Sequence, residues 1–505
     1  MGGTTVSAYI EFAANFGSYA QINAVLPSNT PTGTGNITVS YNGTASANYP
    51  ITVVTSSFGA FSVNEAGTGP GIITDVNYAV LTPWHTAKPG DYVILWGTGL
   101  GPVPDASAEK TAPPAQTDLC PGSSCPTVWV AGQKANIYYA GRSSYTAEDQ
   151  VVFQVPASGA TGCYVQVAVQ TGTITGNFTS MTVDSKGGVC SDADGVDYND
   201  ISSLVTKNGK ANVGAISMLS NYLNLAIPGL GTLKWDNDTL SGEVGTFSTG
   251  VLNLFQGFAL APSVNNCTVS PFLQYPPPID PGLSYVTYLD AGASLSIQGP
   301  NGTVAVPTNK NGKGYSQLVG GETIANLIAG CPSTSTNNCA PFFLSSSDAI
   351  SAGTYTLTGP GGADVGALST SITVPSSDAS FAWTMPTGAI PLSSPLTITW
   401  TGGNPSGYVD ITAISSTLAS GITPAATTPG ILVECIAPTS AGSFTIPTYV
   451  LASLPSTSSS TALVPPGELL VGPASVPVKA TTLPTGLDAL YIFYHYISGA
   501  NVTWQ

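Results

Sequence analysis

The densest set of reactive groups is the run Asp192-Ala-Asp-Gly-Val-Asp-Tyr-Asn-Asp200, where Asp192, Asp194, Asp197 and Asp200 surround a glycine just ahead of the helix-like stretch Ile201-Ser-Ser-Leu-Val205. Alternating carboxylates before a helix are how a chain gathers oxygen ligands around Ca²⁺, and the run is similar to the half EF-hand of a dockerin. It is about one residue short of that spacing and lacks the bidentate glutamate. A solvated acidic turn with Asp200 as helix N-cap is the competing reading. Weak Ca²⁺ binding is the only cofactor expected.

The second set is eight cysteines, at 120, 125, 163, 190, 267, 331, 339 and 435. An even number scattered through loop-like, Ser/Thr-rich sequence reads as disulfides formed in an oxidising compartment. Cys120/Cys125 and Cys331/Cys339 are spaced as local loop staples, and Cys163/Cys190 could tie a strand to the linker behind it. Zinc would require Cys-x-x-Cys pairs or adjacent histidines, and the sequence has neither.

Acid–base chemistry has few carriers. The two histidines, His85 and His495, sit beside aromatic and apolar residues with no nucleophile-elbow sequence nearby, so structural or surface roles are expected. The 27 acids form no paired motif at strand ends of the kind that hydrolyses glycosides. No catalytic residue is expected. Trp96, Trp129, Trp383 and Trp400 lie in alternating strands and read as core, and seven Asn-x-Ser/Thr sequons, at Asn36, Asn42, Asn177, Asn237, Asn266, Asn301 and Asn501, are available to glycosylation.

The elements holding these groups follow from composition. Charged residues are only 8% of 505, whereas 57 Gly and 40 Pro punctuate the chain, which suits short strands and many turns. That length requires several separate cores. A formal charge of −16 would be repelled by phosphate backbones and anionic lipid, which excludes nucleic-acid binding. No apolar run approaches the ~20 residues of a membrane helix, so no membrane insertion is expected. Met1-Gly2-Gly3-Thr4 has neither the basic start nor the apolar stretch of a signal peptide, so the leader or the true N-terminus is expected upstream.

An internal repeat organises the first part. Tyr19-Ala-Gln-Ile-Asn-Ala-Val-Leu-Pro27 aligns with Asp149-Gln-Val-Val-Phe-Gln-Val-Pro156 at Gln21/Gln150 and Pro27/Pro156. Each is followed by an alternating strand, with Ile37, Val39 and Tyr41 on one face of the first and Val165, Val167 and Val169 on one face of the second. Backwards, Gly3 to Phe12 matches Gly132 to Tyr139, so residue 1 falls inside a module. The second copy has opening strands, including Asp91 to Gly101 and Thr127 to Ala131, and the first has none before it. An Ig-like sandwich without its leading strands leaves an edge that invites pairing with another chain.

At these residues the chain resembles the modular Ig-like surface proteins of soil Acidobacteria. Residues 1 to about 187 look like the Solibacter-type C-terminal domain, on Gly97-Thr-Gly-Leu-Gly-Pro-Val103, Gln21-Ile-Asn to Pro27, and Val130-Ala-Gly132 followed by Tyr139-Ala-Gly141. Leu289 to Leu295, Gly353 to Gly362, Thr399 to Gly403 and Gly486 to Ala489 are similar to C-terminal modules of the same proteins. The resemblance implies fold and an extracellular or cell-surface location, and it implies no reaction.

The expected fold is all-β: tandem immunoglobulin-like β-sandwich modules with a short partly helical insert. The divisions are 1–60, a partial module lacking its first strands; 61–187, an Ig-like module; 188–285, an irregular, partly helical linker; 286–376, a β-rich module; and 377–505, a C-terminal Ig-like module. Val213 to Leu225 has helical apolar spacing and is assigned to the insert's short helices or loops. The function expected is structural or adhesive, a stalk or filament subunit that joins copies of itself or other surface proteins by strand complementation. The alternative is a secreted module binding polysaccharide or a surface without catalysis.

Overall fold

The computed structural model describes residues 4–104, 109, 116–120, 125–193, 195, 197–227, 231–250, 262–272, 286–308, 314–321, 350–416, 429–457 and 466–505. Cys331, Cys339 and Asp194 lie outside the described residues.

The chain is all-β, and its first two modules are two copies of one pattern. The first comprises β1 (Tyr9–Asn15), β2 (Ala20–Val25), β3 (Gly33–Ile37), β4 (Ser40–Tyr41), β5 (Thr44–Ala45) and β6 (Tyr49–Val53). The second comprises β7 (Gly59–Ala60), β8 (Ile73–Asp75), β9 (Tyr92–Thr98), β10 (Thr127–Val130), β11 (Gln133–Lys134), β12 (Asn136–Arg142), β13 (Asp149–Gln154), β14 (Gly162–Thr171), β15 (Ile174–Thr175) and β16 (Thr179–Val183). Its two sheets, β12-β13-β9-β7 with β8 on β9, and β11-β10-β14-β15 with β16 on β14, enclose a core that includes Phe58, Ile73, Val93, Leu95, Val151, Phe153, Val165, Val167 and Val183. This is the two-layer Ig-like sandwich that period-2 alternation requires.

The repeat holds at the level of hydrogen-bond register. The β1–β2 pair places Ile10 opposite Ala24 and Phe12 opposite Asn23 with a bulge between Ile10 and Phe12. The β12–β13 pair places Ile137 opposite Phe153 and Tyr139 opposite Val152 with a bulge between Ile137 and Tyr139. Likewise Ile37 faces Tyr49 as Val167 faces Thr179. The copies differ in what flanks them. In the second, β9 pairs with β13 and β10 with β14. In the first, β2 pairs with β1 and β3 with β6, and among the described residues neither has a second neighbour.

The rest of the chain is organised by one ten-stranded sheet, ordered β19-β29-β28-β31-β33-β17-β18-β20, with β23 on β18 and β32 on β33. Its strands are β17 (Lys210–Ile227), β18 (Gly231–Ser248), β19 (Asn266–Phe272), β20 (Thr287–Tyr288), β23 (Tyr315–Gly321), β28 (Tyr408–Ser416), β29 (Gly430–Pro438), β31 (Gly467–Ala474), β32 (Val478–Lys479) and β33 (Ala489–Asn501). Two smaller sheets pack beside it. One runs β22-β21-β24-β25 from β21 (Ser294–Gly299), β22 (Gly302–Pro307), β24 (Gly353–Gly359) and β25 (Leu368–Val374). The other runs β26-β27-β30 from β26 (Ala382–Trp383), β27 (Leu396–Thr401) and β30 (Ser443–Ile446).

One expectation fails instructively. Ile201 to Val205 does lie in a helix, α1 (Asn199–Asn208), but Val213 to Leu225 lies in the 18-residue strand β17. β17 sits between β33 and β18, and its two faces enter different cores: Ala211 and Val213 pack with Tyr198, Ile201 and Tyr491, whereas Ile216 and Met218 pack with Leu295, Leu357 and Ile492. A strand buried on both sides is apolar at odd and even positions, so its alternation disappears and the pattern passes for a helix. Asp200 is not the N-cap of α1 either: it lies in the first turn, and the cap position is held by Tyr198 without a side-chain hydrogen bond.

Candidate functional site

The first module is a half-sandwich whose inner face is open. Of residues 4–57 only Pro27 is buried. The repeat supplies an internal control, because each apolar position has a counterpart in the complete copy. Ile22 is 44% exposed and Leu26 48%, whereas Val151 and Val155 are 0% and 1%; Ile37 and Val39 are 45% and 43%, against 0% and 1% for Val167 and Val169. All eight positions are apolar, and only the four in the second copy are buried.

At one end of this face, against Leu26 but short of Ile22, Ile37 and Val39, lies a groove of about 680 Å³. Its walls are the end of β2, Ala24 to Leu26, the β6 residues Ile51 and Val53, and the Thr98 to Val103 turn of the second module. In the second copy, Met181 and Val183 occupy the positions of Ile51 and Val53 and share one core with Val93 and Leu95 of β9. The groove thus adjoins the end of β2, the strand whose counterpart β13 is covered by β9 in the complete module.

At its floor a polar clasp ties the half-module to its neighbour. Glu109 accepts hydrogen bonds from the Ser28 backbone N–H at 2.9 Å and from the Ser28 hydroxyl, and the Val103 N–H donates to Ser28 Oγ at 2.9 Å. Arg142 joins this group to Asp149: its Nη2 lies 3.8 Å from Glu109 Oε1 and donates to the Gly101 carbonyl at 2.9 Å, while Nη1 pairs with Asp149 Oδ1. Asp149 is fully buried and also accepts the Leu100 N–H at 2.8 Å. Desolvation pushes its carboxyl upward, against the pull of Arg142 and those donors. Sequence reading missed this clasp, because its members are spread over more than 100 residues.

The three described aspartates of the acidic run, Asp192, Asp197 and Asp200, do not converge. Asp192 points into the protein, where its carboxylate accepts the Cys163 N–H at 2.8 Å and the Ser263 hydroxyl. Burial pushes its pKa up to about 6, although both donors act the other way. Ser263 in turn accepts the Tyr164 N–H at 3.0 Å, and the Tyr164 and Tyr198 hydroxyls bond to each other. Asp197 accepts the Asn199 N–H at 2.9 Å. Asp200 pairs with Lys479 at 2.5 Å and accepts the Tyr491 hydroxyl at 2.7 Å. Each of the three described carboxylates therefore serves a different partner.

Disulfides join Cys120 to Cys125, Cys163 to Cys190 and Cys267 to Cys435. The last pair is absent from the sequence-based candidates. Its members lie 168 residues apart and meet because β19 and β29 place them directly opposite.

Each histidine lies beside an aspartate. His85 Nε2 lies 3.2 Å from Asp75 Oδ2 at the surface, and His495 Nδ1 lies 3.6 Å from Asp410 Oδ2 in the large sheet. The other Asp410 oxygen accepts the Thr412 hydroxyl, and among the described residues no serine hydroxyl bonds either imidazole. Trp96 and Trp400 are buried, Trp129 stacks on Tyr449 at 4.6 Å, and Trp504 is fully buried. The exposed pair Tyr92 and Tyr138 meets edge to face at 71°, and the exposed Phe16 and Tyr19 stack at 5.1 Å.

No protein-family model and no curated protein matches the chain. Solved structures show loose likeness only. A mutant Salmonella alpha-2-macroglobulin is 10% identical, with 94% of this chain covered, 28% of that chain and a TM-score of 0.15. Domains 4–9 of the surface layer protein SbsC are 11% identical, covering 94% of this chain and 70% of that one at 0.11. Immunoglobulin domains 1–5 of Sidekick-1 are 9% identical, covering 96% and 89% at 0.12. This chain spans under a third of the macroglobulin's length, and scores this low carry no argument beyond the strands themselves.

Proposed function

We propose that this chain is an extracellular structural subunit that assembles through its half-module, with a strand from another subunit completing the sandwich. The observation that supports it is the exposure contrast: Ile22, Leu26, Ile37 and Val39 lie open where their repeat counterparts are sealed. Burying side chains that are now about half exposed stabilises a contact by roughly 1 kcal/mol each, and an added strand also satisfies the free edge of β2. Charge favours the same place. Glu11 is the only charged residue among the first 57, although the chain as a whole carries −16, so copies can meet here without the repulsion they would feel elsewhere. Three disulfides among the described residues support an oxidising, extracellular setting.

The test is sedimentation and electron microscopy over a concentration series, for the native chain and for Ile22→Glu with Leu26→Glu. Both side chains are already exposed, so the variant should keep the native circular dichroism spectrum. Association of the native chain that the variant abolishes is the expected result. Monomers at every concentration, or equal association of both proteins, would overturn the reading.

A further inference from the structure

We propose that the groove beside β2 is a slot for one extended, uncharged peptide strand, running antiparallel to β2 with apolar side chains at alternate positions and a large one opposite Ala24. This rests on the strand-complementation reading and specifies the donor. The template is inside the molecule. β13 matches β2 position for position, down to the bulge in the strand on its other side, and β13 is paired antiparallel by β9. In that pair Leu95 lies opposite Val151 and Val93 opposite Phe153, and both β9 side chains are fully buried. Transferred to the first copy, the donor presents one apolar residue to Ile22 and a second, two positions earlier, to Ala24.

The slot differs from its template at one point. Where the complete copy has Phe153, the first has Ala24, and Ala24 lines the groove. Close packing requires the missing volume to come from the other side, so the donor carries a residue larger than Val at the position of Val93. The charged groups at the floor already satisfy each other: Glu109 holds Ser28, and Arg142 holds Asp149. Among the described residues lining the groove no counter-charge remains for an ionic donor, and burying one unpaired would be costly.

The probe is a synthetic peptide with the sequence of Tyr92 to Gly101, compared with the same peptide carrying Val93→Phe and with a control of equal composition whose alternation is shifted by one residue. Binding is read by fluorescence anisotropy, and its place by hydrogen exchange over Ala20 to Val25. The expected result is protection of β2 amides by the first two peptides and not by the control, with the Val93→Phe peptide binding about tenfold tighter from its added buried area. Protection elsewhere, binding by the shifted control, or no advantage for Phe would overturn the slot. Failure of the broader reading looks different: peptides that bind as expected to a chain that never self-associates uphold the slot and remove the assembly.

Discussion

Asp192→Asn should reverse the sign of its effect on stability between acid and neutral pH. Asp192 is 8% exposed and its carboxyl is pushed by desolvation to about 6 from an ordinary 3.8. Below 3.8 both folded and unfolded chains hold the proton. Between 3.8 and about 6 only the folded chain holds it, so stability falls as pH rises through that window, and above about 6 the full cost is present. At about 1.4 kcal/mol per pH unit, that cost is about 3 kcal/mol. Asparagine is neutral throughout and keeps an oxygen for the Cys163 N–H, at the expense of the second acceptor used by Ser263, which is worth about 1 kcal/mol. The variant should therefore be about 1 kcal/mol less stable near pH 4 and about 2 kcal/mol more stable near pH 7.5. Hydrogen exchange at Cys163 and Tyr164 reads this locally, without requiring the whole chain to unfold in one step. Parallel pH profiles for the two proteins would show that burial does not govern this carboxyl, and the reasoning would fall.

Three further outcomes follow from buried contacts. Arg142→Met strands the fully buried Asp149 carboxylate and should cost about 3–5 kcal/mol in urea unfolding, with Asp149→Asn added on top recovering part of it. Tyr449→Phe keeps the ring stacked on Trp129 but leaves the Gly132 N–H and Gln166 Oε1 without the hydroxyl, so that junction should weaken by about 1–3 kcal/mol, seen as faster exchange of the Gly132 amide. Replacing Cys267 and Cys435 together by Ser should lower stability by about 2–5 kcal/mol, and dithiothreitol should then cost this variant less than the native chain.

Much of the local structure was legible in the sequence because it depends on neighbours in the chain. Alternation at Leu396 to Trp400 marks a strand that buries Ile398 and Trp400 on one face and exposes Thr397 and Thr399 on the other, and the Gln21/Gln150 alignment marks two copies of one pairing register. Cys120 with Cys125, and Cys163 with Cys190, are near enough in sequence to be matched by spacing. What escaped was decided by partners distant in sequence. β17 lost its alternation because the sheet buries both of its faces, and the Cys267–Cys435 bond exists only because β19 and β29 are adjacent. The acidic run has the composition of a cation site, yet folding turns Asp192 inward to Cys163 and Asp200 outward to Lys479. The open face of the first module follows the same rule: Ile37 and Val39 alternate as the buried Val167 and Val169 do, and only the three-dimensional arrangement of strands shows that they stay exposed.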